Sequence, residues 1–455
     1  MNERYALEIL TEALAELRAG FAALPDDATA APPPGRLREV LRETARRLHD
    51  NYPYHHPLYA GQMLKPPHPV ARLAYMLALH LNPNNHALDG GRASSRMEKE
   101  AVAAIARMFG WDTHLGHLTS GGTVANLEAL WVAGRLREGE TVLASAMAHY
   151  THGRMCEVLR LPFEAVVVDA RGRMDLDALE KRLQRGGVGT VVATLGTTAI
   201  GALDPLSDIL ALRARYGFRL HVDAAYGGYF TLCRTLDPLA RREFDALAQV
   251  DSIVVDPHKH GLQPYGCGCV LFRDPTVGRF YRHDSPYTYF SSDELHLGEI
   301  SLECSRAGAA AVALWATLEL LPLERGGEFA QALEASLAAA REFHAWLAAE
   351  GRFLCGPAPS LDIVVWSLRA SGARAASRLN ETVFRRAAEH DLHLAVARLP
   401  RAVLAPHWPD FAWEAPDVAC LRSCLMKPAH RDWLPEIERR LLAACEEVAQ
   451  GSEHC

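Results

Sequence analysis

Lysine is scarce in this chain. Only Lys65, Lys99, Lys181, Lys259 and Lys427 stand among 48 basic residues in 455, so positive charge is nearly all arginine. A lysine in an apolar setting therefore needs a reason that arginine does not satisfy. The main one is chemical: an amine can deprotonate and attack a carbonyl, and a guanidinium cannot. A basic excess is missing as well. The sum 48 − 55 leaves a net charge of −7 and no global field to recruit nucleic acid. No apolar run reaches the ~20 residues that a bilayer span needs; the longest are 70–81 and 311–318. The opening MNERYALEIL carries acidic residues and no apolar core before a small-residue cleavage site, which argues against a signal peptide. Ten cysteines without regular spacing read as reduced thiols in a cytoplasm. Cys267 and Cys269 lack a second pair nearby, and the pairs His114/His117 and His149/His152 lack a third ligand, so no metal site is expected.

What is present is the composition of a folded, water-soluble protein: 49% hydrophobic and 23% charged residues. Helical spacing of apolar residues marks 5–24, 36–49, 70–82 and 95–109, with the proline-rich stretch 25–35 between the first two. Beyond about 115, short β-branched runs at 141–145, 164–169, 190–195, 218–223, 252–256 and 268–272 alternate with amphipathic runs near 123–137, 150–159, 175–185 and 205–215. That alternation predicts an α/β domain with a mainly parallel sheet, whose ligands bind at the carboxyl ends of the strands. A helical stretch over 304–350 leads to strands at 361–368, 393–399 and 420–426, a smaller α+β domain. The expected division is 1–85, an N-terminal helical segment that packs on a dimer partner; 86–325, the large domain; and 326–455, the small one.

Four positions carry the chemistry. Lys259, in DSIVVDPHKHGLQPYGCGCVLF, lies between two apolar strands. It is either a surface lysine on a loop or a Schiff-base lysine whose amine is made nucleophilic by burial. Asp223 closes the strand FRLHVD before small residues. Alone it reads as a helix N-cap; beside a flat heterocycle it can keep a ring nitrogen protonated. Ser120, Gly121, Gly122 and Thr123 open an amphipathic helix, either as an ordinary capped start or as an anion site. His149, just past a strand, is either a satisfied histidine or a ring that stacks on a cofactor. Together they are the parts of a pyridoxal phosphate site.

The motifs SGGTVANLEAL, AHYTH, ATLGTTAIGALDPL, HVDAAYGG, DSIVVDPHK and LRSCLMKP resemble the pyridoxal phosphate-dependent group II decarboxylases. The resemblance runs over roughly 50–430, and its most specific element is HVDAAYGG followed by DPHK, with 259 − 223 giving a separation of 36 residues. It implies a fold type I, aspartate aminotransferase-like large domain, pyridoxal 5′-phosphate as cofactor, and a homodimer with active sites near the interface. It also implies decarboxylation of an L-amino acid, aromatic or acidic, to the amine and carbon dioxide through a Schiff base of the substrate. By motif, Lys259 resembles the Schiff-base lysine and His258 its usual neighbour. Asp223 would pair with the pyridine nitrogen, Ala225 would pack on the ring, and His149 would stack on its other face. Gly122 and Thr123 would hold phosphate, Thr197 would line the cofactor site, and Arg422 would meet a substrate carboxylate. Tyr287 and Tyr289 fall where the family carries a tyrosine that protonates the carbanion. His56 and Tyr59, in the aromatic stretch 51–69, either line a substrate pocket across the dimer or pack the N-terminal segment. Many members follow the lysine with a bulky aromatic; here it is His260. Transamination, aldol-type lyase chemistry and oxidative decarboxylation–deamination use the same cofactor residues, and a non-catalytic binding module is the alternative of another class.

Overall fold

The computed structural model describes residues 3–25, 33–282 and 295–452. Its main sheet has seven strands: β1 Leu115–Thr119, β2 Thr141–Ser145, β3 Phe163–Val166, β4 Val188–Thr194, β5 Arg219–Asp223, β6 Ser252–Val255 and β7 Gly268–Phe272. Their spatial order is β1-β7-β6-β5-β4-β2-β3. β7 runs antiparallel to both β6 and β1, and the other pairings are parallel. Every residue of β2, β4, β6 and β7 is buried. Helices cover both faces, so these strands read as continuous apolar runs rather than as alternating ones.

Six helices precede or interleave with the early strands: α1 Glu3–Ala19, α2 Pro34–Leu48, α3 Pro69–Leu79, α4 Arg92–Met108, α5 Gly122–Leu136 and α6 Thr151–Leu159. The strands expected at 141–145 and 268–272 coincide with β2 and β7, and the bounds of the other four expected in this region lie within three residues of those of β3 to β6. β1 was not legible as a strand. Its sequence LGHLT carries Gly116, where a Cβ would sit 2.5 Å from Leu271 Cδ2, so close packing on β7 needs a residue of weak strand propensity. The helical stretch 304–350 is two helices, Gly308–Leu320 and Glu328–Glu350. Pro322, which has no N–H to give, and Gly326, at φ 72°, lie between them.

A second sheet, β8 Phe353–Cys355, β9 Ile363–Leu368, β10 Ala395–Pro400 and β11 Asp417–Cys424, has the order β10-β11-β9-β8, all antiparallel. The N-terminal aromatic stretch meets this sheet: Ala60 N–H donates to His393 O and Cys424 N–H to Ala60 O. No helix among the described residues is long and apolar enough to cross a membrane. None of the described cysteines is in a disulfide.

The architecture positions the site in one respect. β1, β2, β4, β5 and β6 run the same way, so the turns after Thr119, Ser145, Thr194, Asp223 and Val255 all open on one edge.

Candidate active site

Those five turns enclose one cavity of about 280 Å³. Its wall contains Gly122 and Thr123 after β1, His149 after β2, Gly196 and Thr198 after β4, Asp223 and Ala225 at β5, and Asp256, His258 and Lys259 after β6. Residues separated by more than a hundred positions meet because each follows a strand of the same parallel set.

Gly121 caps α5 at φ 155°, a backbone that L side chains rarely adopt, and a Cβ on Gly122 would sit 2.7 Å from Asp256 Oδ2. The turn is therefore bare backbone that faces the cavity at a helix start. Its first amide already serves an anion: Ser120 N–H donates to Glu303 Oε2 at 2.9 Å.

Lys259 Nζ lies 3.0 Å from Asp256 Oδ2. Asp256 is buried, and among the described residues its Oδ1 has no hydrogen-bond partner. His258 stacks obliquely on Tyr265, with ring centroids 4.7 Å apart. Burial lowers the pKa of His149 against the opposing pull of Asp223, and its Nδ1 accepts Thr151 N–H at 3.3 Å.

Asp223 sits at the centre. It is 5% exposed, and burial alone would raise its pKa. The His152 hydrogen bond and charge, Lys259 and the Ala225 amide outweigh burial and hold the carboxyl well below the usual range, so it stays ionised. His152 Nε2 lies 2.9 Å from Asp223 Oδ2, Asn126 Nδ2 donates to the same oxygen at 3.4 Å, and Ala225 N–H donates to Oδ1 at 3.0 Å. Behind Asn126, His221 Nε2 lies 2.9 Å from Asn126 Oδ1, and His221 Nδ1 lies 2.9 Å from Ser252 Oγ.

The remaining expected residues lie elsewhere. Thr197 is buried outside the cavity wall; its Oγ1 accepts Ala202 N–H at 3.0 Å and closes the turn, while its neighbour Thr198 takes the wall position. Arg422 is buried beside that wall, donating to Thr198 O at 2.8 Å and to Gln62 Oε1 at 2.6 Å. His56 packs edge-on to Trp433, and Tyr59 packs under Lys427, so within one chain both meet the C-terminal segment that follows β11. Tyr287 and Tyr289 lie outside the described residues.

Two features escaped the sequence reading. One is the set of donors around Asp223, above all His152. The other is a buried polar cluster behind Lys259: Tyr226 O–H donates to Asp362 at 2.6 Å, His260 Nε2 lies 3.3 Å from the same carboxylate, and Lys65 Nζ lies 3.3 Å from His260 Nδ1. Burial brings Lys65 down to about 8, and Lys427, which donates to Tyr59 O at 2.6 Å, to about 7. Lysine scarcity was the available signal for both, and it applies to them as it does to Lys259.

The donor set fits pyridoxal phosphate: an amine, a carboxylate kept ionised, a bare helix start for an anion, and a cavity between them. Comparison with known proteins agrees. The profile described as the pyridoxal-dependent decarboxylase conserved domain matches residues 49–369, and the chain belongs to that family. It is accordingly a pyridoxal phosphate-dependent carboxy-lyase that acts on an amino acid. It is 28% identical to an L-tyrosine decarboxylase of Enterococcus faecium over 78% of this chain and 76% of that one. It is 29% identical to an L-aspartate decarboxylase of Thermococcus kodakarensis over 62% and 73% of the two chains. The crystal structure of Catharanthus roseus tryptophan decarboxylase in complex with L-tryptophan superposes with a TM-score of 0.74 at 16% identity, covering 98% of this chain and 97% of that one, a likeness of fold.

His221 yields a prediction. Burial depresses its pKa to about 3, so as pH falls the unfolded chain takes up the proton first. The stability that neutral His221 contributes is complete above about pH 6.5 and is lost as pH falls toward about 3. In His221→Gln, the slope of unfolding free energy against pH between about pH 6 and 4 flattens by up to ~1.4 kcal/mol per pH unit. Denaturant titrations at three pH values measure it; equal slopes in the two proteins would contradict a buried neutral imidazole.

Proposed function

We propose that the substrate is an L-amino acid with an acidic side chain, decarboxylated to its amine by Lys259, Asp223 and His149. The observation that carries the assignment of roles is the joint presence of the Lys259 amine and the ionised Asp223 carboxylate in one cavity wall. Pyridoxal phosphate, when bound, supplies an aldehyde that takes up an amine and a ring that accepts the electron pair of the bond that breaks.

The chain's own residues do the rest. Asp256 is the nearest acceptor for the proton that Lys259 must shed before its nitrogen can bond to carbon. Asp223 holds a proton on a facing ring nitrogen. Gly122 and Thr123, at the start of α5, hold phosphate through backbone N–H groups and a hydroxyl. His149, held toward its neutral form, offers a ring face without competing for the phosphate. Loss of carbon dioxide leaves the substrate carbon one proton short. Tyr287 and Tyr289 remain the candidates to supply it.

Arg422 supports the acidic side chain. It is 4% exposed, and among the described residues it pairs with no carboxylate: it donates to a carbonyl and an amide oxygen and bears on the Cys424 thiol. Among the described residues its Nε is buried without a hydrogen-bonded oxygen. A cation that gripped the departing carboxylate would stabilise the charge that the reaction must discharge, so the natural anion for Arg422 is a second carboxylate. The aromatic reading is favoured by the extent of similarity to the tyrosine decarboxylase.

We also propose a homodimer in a reducing cytoplasm. No residue of α2 is buried, yet Leu37, Val40, Leu41 and Leu48 line one of its faces at 46%, 54%, 59% and 61% exposure. An amphipathic helix with its apolar face in water asks for a partner, and a two-fold copy of the same chain supplies one.

Four outcomes are expected. Borohydride reduction of the holoenzyme fixes the cofactor to the peptide containing Lys259. Lys259→Ala loses that label and at least about a thousandfold in amine and carbon dioxide formation; retained turnover would remove the premise. Arg422→Met raises KM for aspartate or glutamate about tenfold or more, and an unchanged KM would return the choice to an aromatic substrate. Val40→Glu with Leu41→Glu converts a particle of about twice 50.0 kDa in sedimentation velocity into one of about 50.0 kDa.

A further inference from the structure

The cavity holds one residue whose environment is more elaborate than ion pairing requires. Asp223 Oδ1 receives a single backbone N–H, whereas Oδ2 receives His152 Nε2 at 2.9 Å and Asn126 Nδ2 at 3.4 Å. A carboxylate only accepts, so the network requires His152 Nε2 to carry a proton. The same logic runs backward through Asn126. Its amide nitrogen donates to Gly122 O and Asp223, its oxygen accepts from His221 Nε2–H, and His221 Nδ1 accepts from Ser252 O–H. The chain Ser252–His221–Asn126 thus donates toward Asp223, with one amide hydrogen of Asn126 spent on Gly122 O. The carboxylate terminates two converging chains, one from β6 through β5 and α5, the other from the first turn of α6.

His152 is the short, direct member, and it is fully buried. It lies three residues after His149, one helical turn, so one loop places one imidazole in the cavity wall and the other against Asp223. Nothing else described reaches Oδ2 within 3 Å. Other charged or titratable groups lie around the carboxylate: His149 from the same loop and Lys259 from the turn after β6 interact with it, as does His221 on β5, while Asp256 bears on His149 and Arg219 on His221.

We infer that His152 is a positioning residue that fixes where the shared proton resides between Asp223 and the cofactor's ring nitrogen, by making the carboxylate the weaker base. This rests on the reading of Asp223 as the ring nitrogen's partner. A carboxylate that accepts a close N–H is less basic than one that accepts none, and the proton then stays on the ring, which keeps the ring a strong electron acceptor. Without His152 only the 3.4 Å contact from Asn126 remains on that oxygen. The carboxylate becomes more basic, and the proton shifts toward it.

The test is the 15N chemical shift of the ring nitrogen in holoenzyme loaded with ring-15N pyridoxal phosphate. Four proteins are compared: wild type, Asp223→Asn, His152→Phe, which keeps a ring without a donor, and His152→Gln, which keeps a donor. Wild type is expected at the protonated position and Asp223→Asn at the neutral one. His152→Phe is expected to move toward neutral, with kcat reduced about tenfold for each unit of carboxylate pKa and KM within about twofold. His152→Gln is expected to recover most of the shift. If Asp223→Asn moves the signal and His152→Phe does not, the inference about His152 fails while the Asp223 reading stands. If neither moves it, the Asp223 reading fails first. Should His152→Phe not fold, His152→Leu replaces it. A reading on wild type needs no variant: holoenzyme labelled with 15N-histidine must show a slowly exchanging proton on His152 Nε2, and a bare Nε2 overturns the inference.

Discussion

An ionised carboxylate inside a protein is tolerated only where donors replace the water it has lost. Asp223 imposes that condition on this molecule, and much of the surrounding sequence answers it. The donors come from four places: the first turn of α6, the first turns of α5, the backbone after β5 and, through charge, the lysine after β6. Each donor must itself be held. Asn126 is oriented by Gly122 O and His221, and His221 by Ser252. Supplying donors from so many stretches of chain to one point requires strands that run in parallel and turn at a common edge. The parallel sheet is in that sense the consequence of one buried charge as much as its container.

Lys259 stands between two polar clusters. On one side is Asp256. On the other, His260 leads to Asp362, Tyr226 and Lys65, joining the turn after β6 to the second sheet and to the N-terminal segment. His260 keeps what an aromatic residue there would provide. Its ring meets Tyr226 and Phe230 edge-on, with centroids 4.7 Å and 4.8 Å away. It adds ring nitrogens that an apolar aromatic lacks, and these face Asp362 and Lys65. The exchange is coherent only as a set, because Asp362 is fully buried and would be stranded without its partners.

The fold was legible where sequence and burial speak the same language. Continuous apolar runs became β2 to β7, and the small residues after Asp223 and around Gly122 marked turns that must approach something closely. Lys259 was legible because lysine is rare. β1 was not, because Gly116 answers to packing against Leu271 rather than to strand propensity. His152 was read only as half of a metal pair with no third ligand; its partner lies 71 residues along the chain. Lys65 and His260 are 195 residues apart and Tyr226 and Asp362 136. Such pairs leave no periodicity, since the distance that matters is set by the crossing of elements and not by spacing in the sequence. Thr197 shows the converse: the motif LGTT lies at the cavity, but which of two adjacent threonines faces it depends on the turn that Thr197 Oγ1 closes.

The division of labour between arginine and lysine follows the same physics. Arg306 is buried against Glu98, with side chains 7% and 2% exposed, so a permanent cation meets a carboxylate. Among the described residues Lys65 and Lys427 have no such direct partner; they face an imidazole and a carbonyl, and burial brings them down to about 8 and about 7, where an amine can give up its charge. A guanidinium has no such escape. Arg422 is buried without a carboxylate among the described residues, and it is an arginine. Retaining a cation that cannot neutralise, beside a cavity wall and without a carboxylate among the described residues, is costly unless an anion arrives from outside the chain. On the reading proposed above, the arginine at 422, in a chain that uses lysine where charge must be shed, is the partner for a substrate carboxylate that stays.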